Sequence, residues 1–410
     1  MRDTPASPSF WRSPLRGPWF TSVLGLVLLL GITVLFVTGL VSYAAYNPDL
    51  SRINDKTPDK GLLGFYLFAW PTDPHWLYRL TQGVHVTLGV TLIPVLLAKL
   101  WSVVPKLFAL PPARSLTHAL ERVSLLLLVG GGLFEFVTGV LNVQLDYLFP
   151  GSFYPLHFYG AWVFFAAFVA HAVLKVPAAV RNVRKAREEG ELVASRPDPP
   201  TVSRRGALWF VGGGSLLLFG TTVGQGFDGP LRRTALLAPH GGADPASGPN
   251  GFQINKTAAY AGIDRAETAE DAWRLVVVGR AGRTVRLGRT ELTQLPLYSS
   301  ALPIACVEGW STSDQWWRGV RLRDLAALVD LPAEGDDPPD VLVESLQRRG
   351  AFRRAALRGN QVADPRSLLA LYVNGEPLSA DHGYPARVIV PAAPGVLNTK
   401  WVARLTFGKV

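Results

Sequence analysis

Residues 304–320 read IACVEGWSTSDQWWRGV and hold Cys306, the single cysteine in a chain of 410 residues. One thiol excludes an intrachain disulfide framework and any all-cysteine metal cluster. Cys306 is therefore either a core residue or a lone nucleophile or metal ligand. Free cysteine is among the most buried residue types, so core packing is its ordinary role. Its neighbours are unusual: Glu308 and Trp310 follow at once, and Trp316 and Trp317 lie just beyond. What the thiol does depends on what the rest of the chain is built for.

Lys and Arg number 41 against 31 Asp and Glu, a net charge of +10. The excess clusters around apolar segments. Five stretches, roughly 17–42, 80–98, 123–145, 153–174 and 206–227, carry at most one charged residue each. A hydrocarbon core needs about 20 such residues, so the sequence describes an integral membrane protein. A cleaved signal peptide fits the first stretch poorly, because its apolar run is long and TGLVSYAAYNPD is not followed by a soluble domain.

Arg2, Arg12 and Arg16 precede the first span, Lys106 and Arg114 lie between the second and third, and eight basic residues from Lys175 to Arg205 follow the fourth. NVQLDYLFPGSFYP, between the third and fourth, has none, and Asp49, Asp55, Asp59 and Asp73 offset the first loop. By the positive-inside rule the N-terminus is cytoplasmic and residues 228–410 lie outside, in a multi-pass protein of the cytoplasmic membrane. Topology accounts for the basic balance, which removes the reason to invoke nucleic acid.

The first four spans read as two copies of a hairpin. FVTGL at 36–40 recurs as FVTGV at 136–140, and His85 and His157 each stand 20 residues before a proline, Pro105 and Pro177. His85 and His157 are then expected at one depth near the outer leaflet. Histidines within a span are functional by default unless they merely hydrogen-bond between helices. His157 and His171 are 14 residues apart, about 21 Å along one helix face. That spacing suits two stacked haems, each ligated by imidazoles from two helices. Lys99 occupies the position matching His171, and His118, at the start of span three, is the available substitute. Glu135 interrupts span three, either for proton exchange at a quinone site or as a buried acid paired with a neighbour. Gly130, Gly131, Gly132 and Gly139 permit close helix approach.

Residues 17–177, with these histidines, resemble the four-helix cytochrome b subunits that connect membrane quinones to exported redox enzymes such as formate dehydrogenase. The resemblance implies haem b and a membrane quinone or quinol as partner. Those subunits also draw a ligand from their first helix, where this chain has no histidine, so it implies one haem or two.

Residues 178–203 shift to charge and proline and read as a cytoplasmic linker. SRRGALWFVGGGSLLLFGTTVG then looks like a twin-arginine export signal retained as a tether, or a plain positive-inside anchor. The first alternative makes the twin-arginine translocation machinery a partner.

Beyond 250 the pattern is mixed α+β: RLVVVGR-AGRT-VRLGR as a hairpin, LRDLAALVDL as a helix, VLVESL as a strand, SLLALYVNGEPL as a helix and turn, and ARVIVP and KWVARLTF as strands. IACVEGWS with WRGVRLRDL, then LLALYVNGEPLSADHGYPARVIVP, then GVLNTKWVARL, resemble in order the molybdopterin-binding domain of the sulfite oxidase superfamily. The resemblance implies a Mo-molybdopterin cofactor, with Cys306 as catalytic residue and molybdenum ligand. It also implies that His382, Arg387, Asn398, Thr399 and Lys400 hold the pterin and its phosphate, with Ser345 as a hydroxyl contact and Asn250, Gln253 and Asn255 in the opening segment PNGFQINKT. Sulfite oxidases place paired arginines after the metal cysteine, whereas this chain has Val307, Glu308, Gly309, Trp310 and Ser311. The CVEGWS form resembles more the bacterial exported reductases that act on methionine sulfoxide.

The expected architecture is multi-domain. An all-α transmembrane four-helix bundle over 1–177, the linker 178–203, a fifth anchoring helix at 204–227 and a linker at 228–249 precede an extracytoplasmic α+β sulfite oxidase-like molybdopterin-binding domain at 250–410. The expected function is a membrane-anchored molybdenum oxidoreductase that passes electrons between quinol, haem b and the Mo centre and reduces an S-oxide or N-oxide, free or on an oxidised protein. The alternatives are a dehydrogenase of sulfite or another small substrate that delivers electrons to quinone, and a non-enzymatic electron conduit.

Overall fold

A computed structural model describes residues 12–50, 54, 68–103, 105, 115–143, 153–185, 193, 202–239, 248, 250–280, 282–329 and 338–408. Its first five α-helices are α1 (Pro18–Ala44), α2 (Leu77–Val103), α3 (Leu116–Asn142), α4 (Tyr154–Arg184) and α5 (Arg204–Gly220). These five coincide with the apolar stretches and are long and apolar enough to cross a membrane. Much of their apolar surface stays exposed (Leu30, Leu97, Leu126, Val173 and Phe210 among others), as helices facing lipid require.

The chain divides into two compact units. The first holds residues 1–37, 85–142 and 153–222. Its apolar cluster joins Phe20, Leu24, Leu28 and Ile32 of α1, Leu92, Val95 and Leu96 of α2, and Phe164 and Phe168 of α4, with Leu128 and Phe136 of α3 and Ala207 and Val211 of α5 packed against it. Small residues set the approach: a Cβ at Gly160 would lie 2.2 Å from Glu135 Oε1, so α4 crosses α3 there only as glycine. Gly131 and Gly139 also lie close to α4, against Phe164 and His157.

The second unit holds residues 38–84, 143–152 and 223–410. Short helices α6 (Ala258–Ala261), α7 (Arg265–Thr268), α8 (Arg289–Gln294), α9 (Leu322–Ala327) and α10 (Gly359–Ala363) flank two sheets. The first has the order β2 (Thr284–Leu287), β1 (Leu275–Val278), β10 (Val402–Phe407), β5 (Val341–Ser345) and β6 (Arg354–Leu357), with β1 and β10 parallel. The second runs β3 (Tyr298–Leu302), β4 (Gln315–Arg321), β7 (Leu368–Val373) and β8 (Glu376–Pro377), with β9 (Arg387–Ile389) also on β7. The expected hairpin at 275–287, helix at 322–327 and strands at 341–345, 387–389 and 402–407 are all present.

One expectation is corrected. LLALYV is strand β7 and not a helix. It is central, paired with β4 on one side and β9 and β8 on the other, and five of its six residues are buried. A strand covered on both faces reads as a continuous apolar run, which periodicity cannot separate from a buried helix.

Candidate active site around Cys306

The loop from β3 to β4 carries Cys306. Cys306 N donates to Trp310 O at 2.9 Å and Gly309 N to Cys306 O at 3.1 Å. Gly309 has φ +90°, a conformation glycine adopts without Cβ strain. Ser311 N donates to Gln225 O, Arg232 Nη1 to Ser311 O, and Ser313 N to Asp228 Oδ2. Cys306 is 3% exposed and Glu308 5%. The Cys306 thiol donates to Glu308 Oε2 at 3.4 Å, and the same oxygen accepts from Trp310 Nε1 at 3.0 Å. Asn255 Nδ2 lies 3.9 Å from the sulfur. Burial, then the Glu308 charge, pushes the Cys306 pKa well above its usual value. The sulfur is thus a thiol, and a bound metal ion would deprotonate it on coordination.

The other expected residues converge on the same unit. His382 stacks on Phe252 with centroids 3.8 Å apart and donates from Nε2 to Asn250 O at 2.7 Å. Asn250 in turn accepts from Ser379 N at Oδ1. Burial, then the Arg387 charge, lowers His382 to about 3. Arg387 is buried over the Trp317 ring, and burial lowers its pKa to about 9. Lys400 Nζ donates to Asp381 O at 2.9 Å and to Lys256 O, and burial followed by Arg387 depresses its pKa strongly. Ser345 Oγ donates to Lys400 O at 2.7 Å and so fixes the loop that carries Asn398, Thr399 and Lys400. Gln253 Nε2 donates to Pro239 O, and Asn398 Oδ1 accepts from Val390 N.

Several of these side chains keep buried polar atoms with no partner: Gln253 Oε1, Arg387 Nε, Asn398 Nδ2 and Thr399 Oγ1. Buried polar groups in native proteins are normally satisfied, so four orphaned atoms among the expected pterin residues fit a site shaped for a polar group. Three cations with burial-lowered pKa values, Lys256, Arg387 and Lys400, fit an anionic one. The residues present therefore suit a molybdopterin with its phosphate, with Cys306 as the protein's sulfur ligand. Lys256 was not singled out from the sequence. Its place immediately after Asn255 was the available signal, and its charge interacts with Cys306 and Glu308.

In the first unit, His85 and His157 come together with ring centroids 6.1 Å apart. His85 Nδ1 hydrogen-bonds Leu35 O at 2.9 Å. His157 Nδ1 lies 3.0 Å from Thr138 Oγ1 and 3.1 Å from Glu135 Oε2, so Glu135 is an acid paired with a neighbour. His171 lies further along α4 and is not brought to this pair. His118 falls on α3, but its side chain is outside the described residues.

The domain that carries Cys306 is similar to known proteins. Residues 261–410 match the family model described as "Oxidoreductase molybdopterin binding domain". This part of the chain is accordingly similar to the molybdopterin-binding domains of oxidoreductases. The chain is 31% identical over 137 residues to "Uncharacterized oxidoreductase YuiH" of Bacillus subtilis, covering 33% of this chain and 66% of that protein. To "Sulfite oxidase, mitochondrial" of Homo sapiens it is 31% identical over 159 residues, covering 33% and 29%. To "Nitrate reductase [NAD(P)H]" of Hordeum vulgare it is 38% identical over 95 residues, covering 22% and 10%. This chain thus spans less than two thirds of the length of each of these relatives. Among solved structures, the sulfane dehydrogenase SoxCD of Paracoccus pantotrophus aligns with TM-score 0.30 at 22% identity, covering 34% of this chain and 39% of that one.

Proposed function

We propose that this protein is a membrane-anchored molybdenum oxidoreductase that takes electrons from membrane quinol through haem b and uses them to reduce an S-oxide or N-oxide such as methionine sulfoxide. The observation that supports the molybdenum part of the reading is Cys306, buried in the same compact unit as the orphaned polar atoms and the cations whose pKa burial lowers. Asn398, Thr399, Lys400, His382 and Arg387 would hold the pterin, and Cys306 would ligate the metal. The bound cofactor supplies two-electron oxygen-atom transfer. The protein's own part is to hold a thiolate where water is excluded and to govern which substrate approaches. Glu308, where sulfite oxidases have an arginine, disfavours an anion by charge repulsion.

The haem reading rests on the His85–His157 pair. Their ring centroids lie 6.1 Å apart, and the two imidazoles would hold the haem iron. Both Nδ1 atoms are engaged by protein oxygens, the orientation that presents Nε2 to a metal. The five apolar helices support a cytoplasmic-membrane location, and the basic loops support an extracytoplasmic 228–410 and a cytoplasmic 178–203.

The second reading is oxidation of sulfite with delivery to quinone, which the similarity to human sulfite oxidase favours. Cofactor-loaded protein assayed with methionine sulfoxide and with sulfite separates the two. Turnover of sulfite alone sinks the first, and a purified protein without molybdenum or pterin sinks both.

A further inference from the structure

The loop between α1 and α2 had no assigned role in the sequence, yet it belongs to the compact unit of the Cys306 site. Asn47 turns the chain at φ +51° and donates to Gln361 Oε1 at 2.8 Å and to Ala356 O at 3.2 Å. Asn54 Oδ1 accepts from Ala356 N at 2.7 Å. Trp70 Nε1 donates to Ala392 O at 2.7 Å, and Ala392 N to His75 O at 3.0 Å. The chain is thereby pinned to the domain just before α2 begins. Within the first turns of α2, Arg79 donates to Gly226 O and Gln82 donates to Val307 O. A Cβ on Gly83 would lie 3.9 Å from Gly309 O, so the helix runs within van der Waals range of the Cys306 loop.

The neck of that loop is closed by bonds of its own. Thr312 N donates to Ile304 O at 2.9 Å, Ile304 N to Thr312 Oγ1 at 2.9 Å, and Ala305 bridges to Ser311 and to Pro394. Gln225, Arg232 and Asp228 hold Ser311 and Ser313, on the outgoing side. The tip is a four-residue turn over 306–309, closed by Gly309 N on Cys306 O at 3.1 Å. Val307 O belongs to the central peptide of this turn, the one whose flip interconverts turn types. A flip there would carry Glu308 with it, and Glu308 Oε2 accepts from the Cys306 thiol and from Trp310 Nε1. A carbonyl only accepts, so the Gln82 amide nitrogen is the donor. Gln82 therefore grips the tip at the peptide whose orientation sets Cys306 and Glu308 relative to each other.

We propose that Gln82, supplied by α2, is a positioning residue of the Cys306 site: its bond to Val307 O holds the turn in the conformation that presents the Cys306 sulfur to molybdenum. This rests on Cys306 as molybdenum ligand and goes beyond it, because Gln82 lies outside the matched domain at 261–410. Gln82 acts through Val307 and not on the metal or the substrate. A donor carried on a long helix is a firmer hold than one on a loop.

Cys306 is the only thiol in the chain and is 3% exposed, so alkylation of the folded, cofactor-free full chain reports the opening of this loop alone. Gln82→Met keeps the side chain's length and removes its donor, whereas Gln82→Lys keeps a donor. The loss of one hydrogen bond from the closed loop raises its opening equilibrium about tenfold. We expect Gln82→Met to be alkylated about tenfold faster than the parent, and Gln82→Lys to stay within about threefold of it. In cofactor-loaded protein, Gln82→Met should shift the g values in the EPR spectrum of the half-reduced metal, and Gln82→Lys should restore them toward the parent. Alkylation of Gln82→Met within about twofold of the parent, equal acceleration in both variants, or an EPR spectrum that Gln82→Met leaves unchanged overturns the proposal. A parent protein that holds no molybdenum sinks the metal reading instead, and alkylation then decides by itself whether Gln82 holds the turn.

Discussion

Cys306 and His382 show how single side chains declare the site. Cys306→Ser removes the soft sulfur donor that a molybdenum centre needs, and in the full chain it should abolish molybdenum retention and lower turnover by 100-fold or more. Metal analysis alongside the assay checks this, and retained metal with normal turnover contradicts the enzyme reading. His382 makes a prediction about pH. Its folded-state value of about 3 lies below the usual 6.5, so between those values the unfolded chain binds a proton that the folded chain does not. Stability is then fully present above about pH 6.5 and falls as the pH drops toward 3, by an amount on the order of 5 kcal/mol at most. Thermal unfolding of cofactor-free protein should show the midpoint dropping over that window, and His382→Gln should flatten the dependence. Cys306, His382 and Arg387 were legible because their chemistry is written in short contiguous motifs. Lys256 was less so: beyond its place after Asn255, its meaning comes from Cys306 and Glu308, distant in sequence.

At the scale of elements, the tightest constraint is where β4 meets β7. A Cβ on Gly319 would sit 2.0 Å from Leu369 O, at the irregularity in their register between Arg318 and Gly319. Gly319→Ala must therefore push two central strands apart, and should destabilise the domain by about 3 kcal/mol or more, read as a lower unfolding midpoint. The turn after α1 is nearly as exacting. Asn47→Gly keeps the left-handed turn but loses two side-chain hydrogen bonds, about 1 kcal/mol each. Asn47→Ala adds about 1–2 kcal/mol for a Cβ at positive φ. Alanine should accordingly lower the unfolding midpoint more than glycine, and equal effects would remove the turn argument. The strands at 275–287, 341–345 and 402–407 could be read from the sequence because their apolar residues are bounded by Gly, Asp or Arg. β7 could not, because a strand buried on both faces and a buried helix write the same six letters. The apolar helices were legible from length alone, but the docking of Asn47, Asn54 and Trp70 onto residues beyond 350 was not. Asn47, Asn54 and Trp70 find their partners about 300 residues away, and no local pattern records that.

For the whole molecule, the proposed haem makes a prediction through the number of haems the apolar helices would hold. His85 and His157 approach as one bis-imidazole pair would. The inner position differs, since Lys99 stands where a second imidazole is needed and its ammonium donates to Thr21 O at 2.7 Å. The α2 position that matches His171 is thus taken by a lysine held to a carbonyl of α1. The expected outcome is one haem b. In purified full-length protein, the reduced-minus-oxidised spectrum should vanish in His85→Ala and in His157→Ala, because a haem that loses either axial imidazole loses its low-spin b-type band. His171→Ala should leave the band at full height. A band reduced by half in His171→Ala would reveal a second haem on α4 and would make His118, at the start of α3, the ligand to test next.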